Sequence, residues 1–326
     1  MSAILQVTLC SPGHLLQIIL QDILISQENF LEKTFPCIDH THISLLKSRF
    51  QNSKGLLKRT HKKTQLKATQ LTYLSAVPHQ ICAYANICAV AVANILAAQI
   101  SGYKSDRVYS QIPAVLLDHI HIKATPSGYL EFRIGDGAIA QWLTSLTQPI
   151  ASLFGSPALS SDLVTRSHPN LFSIQHAHAR CCSLLRIAAQ RQIIGLNWLE
   201  EPSHWQWAQP HPISWLTMEE QLHTCHASER QLIHQCFTVL DEIPWRLDPL
   251  PENIQSLSLH SDRIATLAQD LAQAFHTMHR QCQVWGAVQN QGRDRLTAHL
   301  AIILVTQRLL YGLLQIGLGA IAPAEL

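Results

Sequence analysis

Histidine and cysteine side chains gather in one short segment of the chain, at His176, His178, Cys181 and Cys182. On a helix, His178, Cys181 and Cys182 share one face, because they are separated by three and four residues. Imidazole nitrogens and thiolates are ligands that zinc prefers, so this face has residue types suited to a metal site. The alternative is a packed structural face, which we favour, and we predict no metal and no other cofactor.

A second group of such residues follows at His223, Cys225 and His226, with His234 and Cys236 farther along. His223 and His226 share a helix face, but no matching pair stands at a zinc-site spacing. A cysteine–histidine nucleophilic pair would use the same residue types, although no local signature supports one. We therefore favour a solvated or packed face here and predict no catalytic residue.

Positive charge is concentrated between residues 44 and 70, and no carboxylate side chain occurs between Asp39 and Asp106. One interpretation is a solvated basic helix or loop. The other is an arm that orders on binding and contacts RNA phosphates. For that function the candidate residues are Lys54, Lys58, Arg59, Lys62, Lys63 and Lys67.

Four tryptophans cluster between two predicted helices, at Trp198, Trp205, Trp207 and Trp215. Tryptophan usually buries most of its area, so these rings are expected to cap a hydrophobic core. The functional alternative is a platform on which unpaired bases stack.

The composition describes a globular protein of one large or two medium domains, with 326 residues, 47% hydrophobic and 14% charged. A net charge of +2 does not indicate nucleic acid by itself. Nine cysteines, none in a C-x-x-C pair, favour a reduced cytoplasmic location. The apolar stretch from 300 to 322 contains Gln307, Arg308 and Gln315, which favours a buried core helix and no membrane span.

Hydrophobic periodicity predicts a mainly α protein in two parts. The first, residues 1–146, is a small α+β domain with helices at 78–100 and 110–119, strands at 121–124 and 129–134, and the basic insertion. Residues 147–170 form a linker rich in Pro, Gly and Ser. The second part, residues 171–326, is a helical bundle with helices predicted at 174–195, 218–240, 261–285 and 296–319.

The segment Ser173–Ala188, S-I-Q-H-A-H-A-R-C-C-S-L-L-R-I-A, resembles the helix that opens the anticodon-binding domain of arginyl-tRNA synthetases, V-Q-Y-A-H-A-R-I-C-S-I-L-R. Three further pieces resemble this domain, called DALR, in the same order: E-R-Q-L-I from Glu229, L-A-Q-A-F from Leu271, and L-G-A-I-A-P-A-E-L from Leu318. The resemblance implies a DALR-type helical fold for residues 171–326. It also explains His178 and Cys182 as structural residues.

The first part resembles the N-terminal additional domain of the same family. The matching residues are Tyr84, Ala85, Asn86, Ile112, Pro113, Gly128, Tyr129, Leu130 and Phe132. The family's Gly-Asp before the tyrosine is Cys82-Ala83 here, and Glu131 replaces its strand asparagine. The basic segment is an insertion within this domain.

For the helical part, the resemblance implies contact with a tRNA anticodon stem-loop. The residues it suggests are Arg180, Arg186, His279, Gln283, Arg308 and Leu326. Three positions depart from the family pattern: His279 replaces an aromatic residue, Glu325 an arginine and Leu326 a methionine.

A class I synthetase also needs a nucleotide-binding domain with a histidine-x-glycine-histidine turn and a lysine-serine-lysine-serine loop. The nearest similar strings, Pro12-Gly13-His14 and Ser53-Lys54-Gly55, lie outside the expected context, and only residues 147–170 separate the two matched halves. We therefore predict a cytoplasmic, non-catalytic tRNA-binding protein derived from an arginyl-tRNA synthetase, with arginine tRNA as a candidate partner. The alternatives are a protein-interaction module that has lost RNA binding and an accessory subunit of an arginine–tRNA ligase or another translation protein.

Overall fold

The computed structural model describes residues 12–13, 15–16, 19–20, 57–59, 71–85, 87–103, 114–147, 171–197, 205–224, 226–242 and 254–326. These residues are mostly helical, with a small sheet in the first part, as the mainly α prediction requires. Contacts divide the chain into two compact units, Met1–Ile139 and Ala140–Leu326. Most of the predicted linker, residues 148–170, lies outside the described part of the chain.

Unit 1 is built on a four-stranded antiparallel sheet with the strand order β1-β2-β4-β3. The helix α2 packs against β3 and β4, and α1 packs against α2. In chain order the elements are β1 (Leu57–Arg59), β2 (Leu71–Ser75), α1 (Val77–Ala85), α2 (Ala89–Tyr103), α3 (Ala114–Asp118), β3 (Ile120–Ala124) and β4 (Leu130–Ile134). The helix α4 (Asp136–Leu146) follows, and its residues from Ala140 onward belong to unit 2.

The predicted hairpin is confirmed, because β3 and β4 pair antiparallel around residues 125–129. Gly128 has a φ of +79°, and a Cβ there would lie 2.8 Å from the Ala89 Cβ, so the turn requires glycine. The single helix predicted at 78–100 is wrong, since Ile87 and Cys88 are not helical and two helices form instead.

The basic insertion was expected to be a helix or a loop, and that expectation is wrong for its centre. Leu57–Arg59 form a strand that pairs antiparallel with β2, with Lys58 opposite Leu74 and Arg59 opposite Tyr73. The alternation of Leu, Thr, Tyr, Leu and Ser in β2, with every second side chain buried, supplies the neighbour that this short strand needs.

Unit 2 is a bundle in which one helix, α8, packs against the three others. Every residue of α8 from Arg295 to Leu310 is buried. The segment Arg293–Gln315 is apolar and long enough to cross a membrane, but 94% of its most apolar window is buried, as in a core helix. The elements are α5 (Leu171–Gln190), β5 (Gly195–Asn197), β6 (Gln206–Gln209), α6 (Ala227–Glu242), α7 (Ile254–Gln281) and α8 (Arg293–Gly312).

The helix α6 begins at Ala227, and the predicted start at 218 is wrong. The Glu229 carboxylate accepts the backbone N–H of His226 (3.0 Å), and Nδ1 of His226 accepts the backbone N–H of Ser228 (3.2 Å). This reciprocal capping satisfies two of the donors that a helix start leaves open, which fixes where the helix begins. Among the residues before it, Leu222 forms an isolated β-bridge with Leu216. Farther back in the chain, β5 and β6 form an antiparallel pair that was not predicted.

The tryptophans of this region are packed, as favoured from the sequence. Trp205, Trp207 and Trp215 are 4–5% exposed. The indole N–H of Trp207 donates to the Pro210 carbonyl, and that of Trp215 donates to the Thr144 hydroxyl, each at 2.8 Å. These rings cannot stack on bases, and Trp198 lies outside the described residues.

A buried ion-pair network joins α6 to α8. Glu229, which is 1% exposed, contacts the guanidinium of Arg295 (2.8 Å) and accepts a hydrogen bond from Nδ1 of His299 (2.7 Å). Burial acts to raise the pKa of Glu229, but the hydrogen bonds and charges of His299 and Arg295 outweigh it and lower that pKa to about 2.

Glu229→Gln should reduce the free energy of unfolding of unit 2 by about 3–5 kcal/mol, because it leaves the Arg295 charge buried without its partner. All seven tryptophans lie in this unit, so urea unfolding followed by tryptophan fluorescence measures it. Exposed Glu219→Gln is the matched control, and its free energy of unfolding is expected to equal that of wild type. Equal free energies of unfolding for the two variants would show that the network does not stabilise the bundle.

Candidate nucleic-acid interface

A row of rings lies where α5 packs against α7. The ring centroids of Phe172 and His176 are 6.2 Å apart, and those of His176 and His276 are 5.4 Å apart. Phe172 is 69% exposed and His176 is also exposed. We call the surface formed by Phe172, His176, Arg180, His276, His279 and Arg280 the ring face.

Two features hold the α7 side of the ring face in place. His279 stacks parallel to the buried Phe275, with ring centroids 5.8 Å apart. Nε2 of His276 lies 3.4 Å from the Ser173 carbonyl, to which it donates across the two helices. The rings are therefore positioned by the helix pair and need no flexible loop.

Arg180 and His279, both predicted as binding residues, are in direct contact. The Arg180 Nε–H donates to Nε2 of His279 at 3.2 Å, so the imidazole must be neutral, with its proton on Nδ1. Burial, followed by the charges of Arg180 and of the histidines 299, 276 and 176, lowers the pKa of His279 to about 4. Burial likewise lowers the pKa of His276, so both rings are neutral at pH 7.

The charge of the ring face is positive. The helix α5 contains no carboxylate, and α7 has none after Asp270. Arg180 and Arg280 are both exposed. A surface that combines exposed rings with cations and lacks nearby carboxylates on its own helices suits unpaired nucleotides and their phosphates.

Arg186, another predicted residue, is held by the segment Ile321–Glu325, which we call the strap. Its Nη2 donates to the Ala324 carbonyl (2.6 Å), and its Nη1 forms an ion pair with Glu325. Gln175 donates to the Ile321 carbonyl (2.9 Å) and His178 donates to the Pro323 carbonyl (2.8 Å). The strap therefore follows a second face of α5, beside the ring face.

Arg308 was predicted to contact tRNA, and the structure corrects this. The residue is 8% exposed, and its guanidinium donates to the backbone carbonyls of Leu146 (2.7 Å) and Trp205 (2.6 Å). The arginine is thus part of the bundle core, where a desolvated cation needs such acceptors. It cannot reach an RNA without unfolding the bundle.

The face of α5 that carries His178, Cys181 and Cys182 is structural. His178 is fully buried, and its second ring nitrogen accepts from the Gln307 amide at 2.9 Å. Burial raises the pKa of Cys181 well above its ordinary value and that of Cys182 to about 12, so both thiols stay protonated. Within the described residues, no three histidine, cysteine or acidic side chains form a group that could hold a metal ion.

The remaining predicted residues are scattered. Gln283 is exposed just after α7, and Leu326 is 66% exposed. Lys58 and Arg59 lie in β1 of unit 1. Lys54, Lys62, Lys63 and Lys67 lie outside the described residues.

The sequence reasoning missed Phe172, His276 and Arg280 as parts of one surface. A signal was present, since Phe172, His176 and Arg180 follow each other at four-residue spacing, as do His276 and Arg280. The spacing does not predict that α5 packs against α7. That packing places the row on α5 beside the row on α7.

Comparisons of the chain with protein-family models, curated proteins and solved structures find no match.

The neutral His279 makes the stability of unit 2 depend on pH. A histidine whose pKa is lowered in the folded state stabilises it above about pH 6.5, and this contribution is lost as the pH falls toward 4. In His279→Gln the free energy of unfolding should therefore fall less between pH 6.5 and 4 than in wild type. Urea titrations at both pH values measure this, with exposed His211→Gln as the control, and the same pH dependence in both variants would contradict it.

Proposed function

We propose that the chain is a non-catalytic tRNA-binding protein, derived from an arginyl-tRNA synthetase, whose helical unit is of the DALR type. In this proposal the ring face holds the anticodon stem-loop. The observation that carries it is the row Phe172–His176–His276, flanked by Arg180 and Arg280. The motif that opens α5 adds support, because it places the ring face on the helix that resembles the family's anticodon-binding domain.

The chemistry of the ring face suits unpaired nucleotides. Single-stranded loops expose their bases, which stack on aromatic and imidazole rings. Neutral histidines can stack and also accept or donate hydrogen bonds to base edges. Arginine guanidinium groups pair with phosphates, which positions the backbone of the loop while the rings contact its bases.

The basic insertion contributes a second contact in this proposal. Strand β1 carries Lys58 and Arg59 and adds to the edge of the sheet of unit 1. Contacts of this kind bind phosphates without reading sequence, so the insertion would raise affinity for any folded RNA.

A second function, a protein-interaction module, has its own supporting observation. Two arginines expected to contact RNA, Arg186 and Arg308, are engaged within the chain, whereas Phe172 and Ile321 are 69% and 74% exposed. Recovery of a stoichiometric protein partner without RNA would favour this module or an accessory subunit of a ligase. Arginine-dependent tRNA charging by the chain alone would overturn the non-catalytic proposal.

Two substitutions test the ring face directly, in filter-binding or fluorescence measurements with total tRNA. Phe172→Ala should weaken binding about fivefold or more, since one stacked base contributes about 1–3 kcal/mol. Arg180→Ala should weaken it and reduce the slope of log K against log salt by about 0.7, the value for one phosphate of a single strand.

Each substitution has a matched control on the same unit. Met218→Ala removes a fully exposed apolar side chain, and Arg293→Ala removes an exposed arginine at the start of α8. Binding by the ring-face variants equal to that of these controls would rule out the ring face as the tRNA site.

A further inference from the structure

Arg186 has the surroundings of an anion-binding site. Its side chain is 25% exposed, and its guanidinium lies over the ring of Trp205 at 5.8 Å from the centroid. Trp205 is itself buried, so the arginine rests on a fixed surface. Because Nη2 donates to the Ala324 carbonyl, Nη1 is the donor that faces an anion, and such a charged N–H pairs with a carboxylate or a phosphate.

The present occupant of this site is a carboxylate of the same chain. The Glu325 side chain is 81% exposed and pairs with Arg186 at the surface. An ion pair with one exposed partner contributes little to stability, because water screens the attraction. The carboxylate can therefore be displaced by another anion at little cost.

The strap itself does not depend on that ion pair. Its backbone is held through the carbonyls of Ile321, Pro323 and Ala324, which accept from Gln175, His178 and Arg186. Displacing Glu325 thus requires a new side-chain conformation and no release of the strap.

The position of Arg186 relates it to the ring face. It lies six residues beyond Arg180 on α5, about 9 Å along the helix axis. Both arginines belong to α5, a helix without carboxylates. The carboxylate of Glu325 lies beside this helix because the strap runs along it. Six residues also turn the helix by about one and two-thirds turns, so Arg186 lies on the strap side of α5 and an RNA strand must pass around the helix from Arg180 to place a phosphate there.

We propose that Glu325 is an intramolecular competitor for the anion site of Arg186, and that an RNA phosphate replaces it when RNA binds the ring face. This inference rests on the proposed function. The carboxylate weakens binding of every polyanion until the phosphates of a strand engaged on the ring face displace it. The Arg186 site therefore favours RNA strands that already contact Arg180 and the rings.

The first test is the affinity for total tRNA at about 0.1 M salt. Glu325→Ala should bind about two- to fivefold more tightly than wild type, corresponding to the energy of one exposed ion pair. Glu219→Ala removes the same charge from another exposed position and controls for net charge. In an Arg186→Ala background, Glu325→Ala should change nothing beyond that control. A gain no larger than that of Glu219→Ala, or an equal gain without Arg186, would overturn the competition.

The second test does not use RNA. Inorganic phosphate is titrated into labelled chain while the indole N–H resonance of Trp205, assigned from Trp205→Phe, is followed by NMR. Phosphate should shift this resonance at lower concentration in Glu325→Ala than in wild type and leave it unmoved in Arg186→Ala. Equal phosphate affinity with and without Glu325 would refute the competitor. If phosphate competes as expected but no variant binds tRNA, the anion site stands and the tRNA assignment falls.

Discussion

The structure of unit 2 depends on one constraint, which is that α8 is buried on all sides while carrying charged and polar side chains. A desolvated charge is tolerated only with a partner, so each of these side chains determines a contact elsewhere in the bundle. Arg295 and His299 require Glu229, which also caps the start of α6. Arg308 requires backbone carbonyls from two other segments.

The burial of α8 also affects the surface of the bundle, through Gln307. This buried residue donates to His178 on α5, and the other nitrogen of that imidazole donates to the Pro323 carbonyl of the strap. The core thereby fixes the tautomer of His178 and, with it, the path of the strap along α5. Arg186 is taken up by the strap as a result, while Arg180 on the neighbouring face stays exposed. The packing of α8 thus determines that Arg186 is bound within the chain and that Arg180 remains exposed.

Periodicity predicted the existence of the main elements but not their limits. The hairpin of β3 and β4 was predictable because alternation and a turn with Gly128 agree at the same place. The start of α6 was not, because it depends on Glu229 reaching back to His226. Strand β1 was missed since a three-residue basic segment becomes a strand only through the neighbour β2 that it pairs with.

The candidate site was predictable to the same limited degree. The resemblance drew attention to α5 and to Arg180 and His279, which the structure brings together. It also suggested Arg308, which the structure buries. A helix that is apolar on nearly all sides has no polar face from which the direction of this arginine side chain could be predicted. Phe172 and His276 belong to one surface because α5 packs against α7, and the sequence does not predict this packing.

Crosslinking shows whether RNA contacts the ring face. The chain is purified with the RNA bound to it in cells and irradiated with ultraviolet light, and the crosslinked peptides and the RNA are then sequenced. If RNA contacts the ring face, tRNA is attached to peptides from the first half of α5 and the last turns of α7. Crosslinks confined to other parts of the chain, or the absence of copurifying RNA, would contradict it.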